Sequence, residues 1–382
     1  MCFADSGNRW CCASGGVLWY NEMTLTKQLY SILVLAALAG ITRLASGTVT
    51  VTPVGEFSLP GLRPGEEAPP GLSGLTRVGG NLYFSVCDKG GFLHQMTIRV
   101  DRTSGAVTGC VFMTTVKLEG KGKLDFESVA WDDANRWVWI GDELDASIRA
   151  FLPTTGKRVK AIDVPAVYDA FRYNRSFESL SIRANGLEMW TCNEDALCRS
   201  DAVNKNGPPV DDGPRTTREH GSTVRIQKFA REMPKADWKP AGQWAYRTDP
   251  IGGKNFANKA RCGVAEMCCL DDGTVLVLER EMSVKGDGFL PVPSFRCRIY
   301  QVDFAGATDV SGISSLNGAA YNPVDKKLVF ARNTGFAMYE GMCLGPLLAD
   351  GSRSLLMISD GDAGAVARLY ALKVSFPSPP QM

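Results

Sequence analysis

The feature that most constrains this chain is a repeated hairpin, with acid where one short strand begins and acid again where the next one ends. It is clearest in Leu124-Asp125-Phe126-Glu127-Ser128-Val129-Ala130-Trp131, followed by Arg136-Trp137-Val138-Trp139-Ile140-Gly141-Asp142-Glu143. It returns in Phe177-Glu178-Ser179-Leu180-Ser181-Ile182 with Leu187-Glu188-Met189-Trp190-Thr191-Cys192-Asn193-Glu194. A third copy joins Gly263-Val264-Ala265-Glu266-Met267 to Thr274-Val275-Leu276-Val277-Leu278-Glu279, and a fourth joins Tyr339-Glu340-Gly341-Met342 to Leu355-Leu356-Met357-Ile358-Ser359-Asp360. A weaker copy runs from Leu72-Ser73-Gly74-Leu75 to Leu82-Tyr83-Phe84-Ser85-Val86-Cys87-Asp88, with Ser73 where the others carry acid. Self-similarity at this scale decides the architecture before any other signal.

Each hairpin opens a group of short strands separated by turn residues, the pattern of an all-β sandwich, barrel or propeller. The groups fall near 72–117, 126–164, 177–247, 263–331 and 339–374, and the last one ends a strand short. The alternating stretch Thr48 to Phe57 belongs to no group and is free to supply that missing strand. Four-stranded units around an axis are propeller blades, and joining the two chain ends protects the last open edge. The expectation is an all-β, five-bladed β-propeller over 47–376, closed by the N-terminal strand, with a tail at 377–382. A sixth blade requires further strands in 304–338. The polar segment Asp201–Gly221 reads as a long exposed loop.

Residues 1–46 read as an export region. Lys27 precedes the apolar run Leu29–Ala39, too short to span a membrane, and Ala37-Leu38-Ala39 fits a cleavage site. Met23 would make a conventional start, with 1–22 a start-site artefact. The expected location is secreted or periplasmic. Of 12 cysteines, three precede Met23, which leaves nine, and an oxidising compartment predicts disulfides. Cys192 with Cys198 is the first pairing expected, then Cys87 with Cys110 and Cys262 with Cys297. No C-x₂-C pair exists and there are only two histidines, which argues against zinc. A formal charge of +1 and no arginine-rich stripe exclude nucleic acid as a partner and, after signal cleavage, a membrane surface. Asn174-Arg175-Ser176 fits the N-glycosylation pattern.

In a propeller the start of each first strand and the end of the second share one mouth of the channel. Glu127 with Asp142 and Glu143, Glu178 with Glu194, Glu266 with Glu279, Glu340 with Asp360, and Asp88 from the first group are therefore expected at one rim. Crowded carboxylates raise one another's pKa unless a cation neutralises them, and calcium tolerates irregular oxygen ligation. These ten acids are the expected calcium ligands; simple turn-capping is the plain alternative. Lys123, Arg175, Arg261 and Arg280 join the rim, either pairing with the acids or gripping an anion. Lys121 and Lys89 lie beside them. No G-x-S-x-G elbow is present, and His94 and His220 read as structural or solvated. Trp131, Trp137, Trp139, Trp190 and Trp244 read as inter-blade core.

Asp125-Phe126-Glu127-Ser128-Val129-Ala130-Trp131, Phe177-Glu178-Ser179-Leu180, Leu276-Val277-Leu278-Glu279-Arg280-Glu281, and Tyr339-Glu340-Gly341-Met342 with Leu356-Met357-Ile358-Ser359-Asp360-Gly361-Asp362 resemble the phytase-like family, also labelled "esterase-like activity of phytase". The resemblance spans about Leu72 to Val374 and implies a secreted propeller that hydrolyses phosphate or carboxylic esters. On that reading a monomer takes a small anionic ester, with Glu127 and Glu178 among the catalytic acids and Lys123, Arg175, Arg261 and Arg280 orienting the anion. Ser73 and the shifted acid at Ala265-Glu266 depart from the pattern. A non-enzymatic calcium-stabilised binding propeller and a lactonase-type metal-dependent esterase stay open as alternatives.

Overall fold

A computed structural model describes residues 47–120, 122–286, 290–361 and 366–376. The expected export region, Lys121, Asp362 and the C-terminal tail lie outside the described residues. Among the described residues, twenty strands form five antiparallel four-stranded sheets, a five-bladed β-propeller. Blade one is β2 (Leu72–Gly79), β3 (Leu82–Cys87), β4 (Phe92–Val100) and β5 (Val107–Lys117). Blade two is β6 (Phe126–Asp132), β7 (Trp137–Asp142), β8 (Ser147–Phe151) and β9 (Arg158–Ala161). Blade three is β10 (Ser181–Ile182), β11 (Glu188–Cys192), β12 (Thr223–Ala230) and β13 (Lys239–Arg247). Blade four is β14 (Arg261–Cys269), β15 (Val275–Lys285), β16 (Val292–Asp303) and β17 (Asp325–Gly335). Blade five takes β18 (Tyr339–Leu347), β19 (Arg353–Ser359) and β20 (Arg368–Ser375), and its outer strand is β1 (Thr50–Ser58), as expected. The stretch 304–338 supplies β17 to blade four and no sixth blade.

The strands form because apolar residues face both neighbouring blades, so each blade is buried on two sides. Five apolar clusters result, one at each blade interface. Trp139 and Trp190 lie inside two of them, and Trp131, Trp137 and Trp244 pack against their margins. A small sixth cluster, Ala245 with Val310 and Leu316, roots the connection after β16. Two short 3₁₀ helices, Ala166–Ala170 and Phe256–Asn258, are the helical elements among the described residues.

Two expectations need correction. The segment Asp201–Gly221 is exposed only in part: Val210 and Asp212 are buried, and Asp212 receives both Nε and Nη2 of Arg225 at 2.7 Å. The expected disulfides do not form, since Cys110, Cys192, Cys198, Cys262 and Cys297 are free thiols. Topology gives the reason for two pairs. Cys87 and Cys110 flank β4 from β3 and β5, and Cys262 and Cys297 flank β15 from β14 and β16. Two strand spacings come to roughly 10 Å, beyond the reach of a disulfide. Cys192 is fully buried, its thiol on the Asn193 carbonyl, whereas Cys198 lies beside Ser200. The cysteines therefore lend no support to an oxidising compartment.

A carboxylate ring with a built-in cation

Four of the five inner hairpins carry a register shift at the rim, and a shift of the same kind follows from the pairing in the remaining blade. Phe126 pairs with Asp142 but Ser128 pairs with Gly141, so Glu127 is the extra residue of a β-bulge. Glu340 is extra between Tyr339↔Ser359 and Gly341↔Ile358. Ser73 falls inside the shift between Leu72↔Cys87 and Leu75↔Ser85. Glu178 lies just after the Phe177↔Asn193 bridge, before regular pairing resumes at Ser181↔Trp190. In blade four Val264 pairs with Glu279 and Glu266 with Leu278, which makes Ala265 the extra residue. A bulge bends the strand and re-aims one side chain. The bulge position therefore reads Ser73, Glu127, Glu178, Ala265 and Glu340 around the five blades.

The facing strand carries a second recurrent position. Asp88 N, Glu143 N, Glu194 N and Asp360 N donate to the carbonyls of Gly71, Asp125, Ser176 and Met338 at 3.0, 2.9, 2.8 and 3.1 Å. In blade four the residue in that place, opposite Gly263, is Arg280. Four blades thus offer acid there, and one offers a guanidinium.

Arg280 is 7% exposed by side chain and holds three carboxylates from two other blades at once. Its Nη2 lies 3.2 Å from Glu178 Oε2 and 3.0 Å from Glu194 Oε1, and Nη1 pairs with Glu340 Oε1. Ser73 Oγ donates to Glu340 Oε2 at 3.4 Å, so the serine that departs from the acidic pattern satisfies its neighbour's acid. Arg175 pairs with Glu194 from outside. Burial pushes the Glu194 carboxyl up, but Arg175, Arg280 and Arg261 outweigh it and hold the group at about 2. Burial raises Glu178 to about 8 despite the same arginine. Burial, then Glu340, Glu143 and Glu178, lift Glu127 well above the usual carboxylate range, and burial lifts Glu340 likewise.

Glu143 is the exception in this network. It is fully buried, and neither carboxylate oxygen has a hydrogen-bond partner. One oxygen each from Glu143, Glu178 and Glu194 lie within 4.8 Å of one another, as do oxygens of Asp88, Asp125 and Glu127. Either carboxylate group could hold a metal ion. Asp125, missed as a candidate by sequence, sits two residues before the bulge at Glu127.

Three expected ligands are placed elsewhere. Asp142 points away from the ring, to Arg149 at 2.9 Å. Glu266 accepts from Leu180 N at 3.0 Å and Met267 N at 2.9 Å, tying blade four to blade three. Glu279 is enclosed by Tyr246 Oη at 2.7 Å, Asp249 N at 3.0 Å and Lys326 Nζ at 2.6 Å. Asp360 is buried beside Glu340, whose pKa it raises.

Cations line two openings at this end. Asp88, Asp125 and Glu127 share a cavity of about 420 Å³ with Lys89, Lys117 and Lys123, and Lys123 Nζ lies 3.9 Å from Asp125. Arg175, Arg215, Arg261 and Lys259 surround a cavity of about 260 Å³ that reaches Glu194 and Asp195. Arg261, exposed at the start of β14 with Arg175 and Arg280 as neighbours, makes no ion pair among the described residues.

The model of the phytase-like family, described as "esterase-like activity of phytase", matches residues 69–363. A search of curated proteins gives no match. Among solved structures, Myxococcus xanthus glutaminyl cyclase is similar at 10% identity and a TM-score of 0.37, over 86% of this chain and 98% of that one. Pseudomonas aeruginosa periplasmic gluconolactonase, PpgL, is similar at 13% identity and a TM-score of 0.36, over 87% and 100%. Likeness at that level carries nothing about this chain's chemistry.

Proposed function

The chain belongs to the phytase-like family, and on that premise we propose that it is an exported, monomeric, metal-dependent hydrolase of small anionic esters, phosphate esters first, acting at the carboxylate end of the channel. The observation that carries the reading is Glu143, a buried carboxylate with no partner for either oxygen, within ligand distance of Glu178 and Glu194. An uncompensated buried charge is costly enough that it demands a proton or a cation. The donor set is all oxygen, from separate blades, which suits calcium better than a softer ion. Glu143, Glu178 and Glu194 would hold one ion, and Asp88, Asp125 and Glu127 another.

A bound divalent cation supplies Lewis-acid polarisation of the ester and lowers the pKa of water. The chain's own groups do the rest. Arg261 and Arg175, beside the ring, draw in an anion and orient its oxygens, and Lys123 does the same over the second group. Arg280 has a different part from the one expected of it. It is buried under three carboxylates and stands as their internal counter-ion, too deep to grip a substrate. Among the described residues, no helix is long and apolar enough to cross a membrane.

Turnover of phytate, p-nitrophenyl phosphate and p-nitrophenyl acetate, with and without chelator, tests the proposal. Chelator-sensitive release of phosphate, lost in Glu143→Gln, is the expected result. The Arg280 hub itself favours a second reading, because a ring already part-neutralised can serve rigidity alone. On that reading calcium raises the melting temperature and none of the three substrates is turned over.

A further inference from the structure

At the end of the channel opposite the carboxylates, the inner strands open into a further cavity of about 390 Å³, within the usual size of small-molecule sites, about 300–1,000 Å³. Leu75, Val129, Leu180 and Met342, at matching places two residues past the bulge in four blades, form its apolar wall, and Trp131 stands at its edge. The rim carries Arg77, Arg183 and Arg353 against Asp133 and Asp271.

The rim acids are already committed. Asp133 takes Arg136 at 2.8 Å and Trp131 Nε1 at 3.2 Å, and Asp271 takes Arg353 at 3.1 Å. The arginines are not all committed. Arg77 gives Nε and Nη2 to the Gly80 carbonyl at 3.1 and 2.9 Å and pairs with no carboxylate among the described residues. Arg183 lies 3.5 Å from Glu188, a carboxylate that Lys228 holds more closely at 2.7 Å, and its Nε is buried without a partner. The opening is therefore apolar inside and cationic at the lip. An apolar body removed from water contributes roughly 25 cal/mol per Å², and a guanidinium bonded to a backbone carbonyl rather than paired with an acid keeps a full positive charge for a carboxylate.

We propose that this distal mouth binds a small amphipathic anion, an organic carboxylate on an apolar chain of medium length. The site is separate from the carboxylate ring and stands without the hydrolase reading. Calorimetric titration of the full chain with octanoate tests it, with 1-octanol and butyrate as comparison ligands. Octanoate binds with or without chelator, and both comparison ligands bind about tenfold more weakly or worse, one lacking the charge and the other the chain. Arg77→Ala weakens octanoate about tenfold, the scale of one charge-assisted hydrogen bond, while Arg77→Lys keeps part of the affinity and Glu143→Gln keeps all of it. Should Arg77→Ala fail to fold, Arg183→Gln, on another blade of the same rim, carries the same expectation. Octanol binding as tightly as octanoate, no heat with octanoate, affinity unchanged in folded Arg77 and Arg183 variants, or affinity lost on chelation would each overturn the proposal.

Discussion

Arg280 shows how one residue resets a site. Four blades place acid at its position, so a ring read by analogy alone contains seven acids across its two recurrent positions and no answer to their repulsion. The guanidinium supplies that answer for Glu178, Glu194 and Glu340. Arg280→Met removes the charge while keeping most of the volume, and stranding buried carboxylates costs about 3–5 kcal/mol. Denaturant melts in chelator should show that loss, and millimolar calcium should restore much of it; wild-type stability in chelator would mean the arginine is dispensable. His94 offers a second test, away from the ring. It lies between Phe92 and Phe112 with Nδ1 3.0 Å from Thr115 Oγ1, and burial lowers it to about 4. The folded-state pKa is thus below the unfolded value of about 6.5. The unfolded chain binds the proton first, so this contribution is fully present above about pH 6.5 and is lost as pH falls towards 4. His94→Gln should flatten that part of the stability–pH curve, and an unchanged slope would show that His94 is not its source. The thiols make a third case. Burial pushes Cys110, Cys269 and Cys297 up to about 12, whereas Cys198 is half-buried at a loop. Mass mapping after brief treatment of native protein with a thiol reagent should find Cys198 labelled first among the described cysteines.

At the scale of elements, the blades were legible and the bulges were not. Alternating apolar residues and turn signals mark where strands lie, and the ends found differ from those expected by a few residues, with β10 much shorter than the run 177–182 suggested. A bulge adds one residue without altering composition, yet it decides which of two neighbours faces the channel. That is why Glu143 rather than Asp142, and Arg280 rather than Glu279, occupy the ring, and why Glu266 turns into the blade interface while Ala265 takes the bulge. Only pairing register separates such neighbours, and register is a property of two strands together. The same bulges bring the inner strands close. A Cβ on Gly341 would lie 2.3 Å from Ser73 O and 2.7 Å from Leu75 N, backbone atoms of the next blade that cannot swing aside. Gly341→Ala should therefore cost about 1–3 kcal/mol in a urea melt by overpacking. An unaffected midpoint would mean that β18 and β2 can separate freely.

For the whole molecule, closure is the decisive act, and it was readable because the last group of strands is one short while the first strand has no group. β1 pairs antiparallel with β20 from Thr50↔Ser375 to Ser58↔Arg368, broken by a single shift between Pro53 and Gly55. Val49 and Val51 enter the cluster between blades four and five, and Leu59 N donates to Ala367 O at 2.9 Å. Glu56 pins the seam by pairing with Arg332 of blade four at 3.1 Å and Arg368 of blade five at 2.8 Å. Without β1 the ring keeps its twenty-strand logic in every blade but one, where β20 would present an unpaired edge, the usual template for association between chains. The carboxylate ring depends on the same seam, since Glu340 reaches Arg280 from blade five and Ser73 from blade one. A chain lacking residues 47–58 should therefore lose cooperative melting, bind calcium more weakly and form oligomers on a sizing column. Val51→Asp, which leaves the pairing backbone intact but puts charge into the cluster, should do the same more mildly. If the truncated chain stays monomeric with full calcium affinity, the blades hold their circle without the clasp, and the site's geometry must be set within blades rather than by their closure.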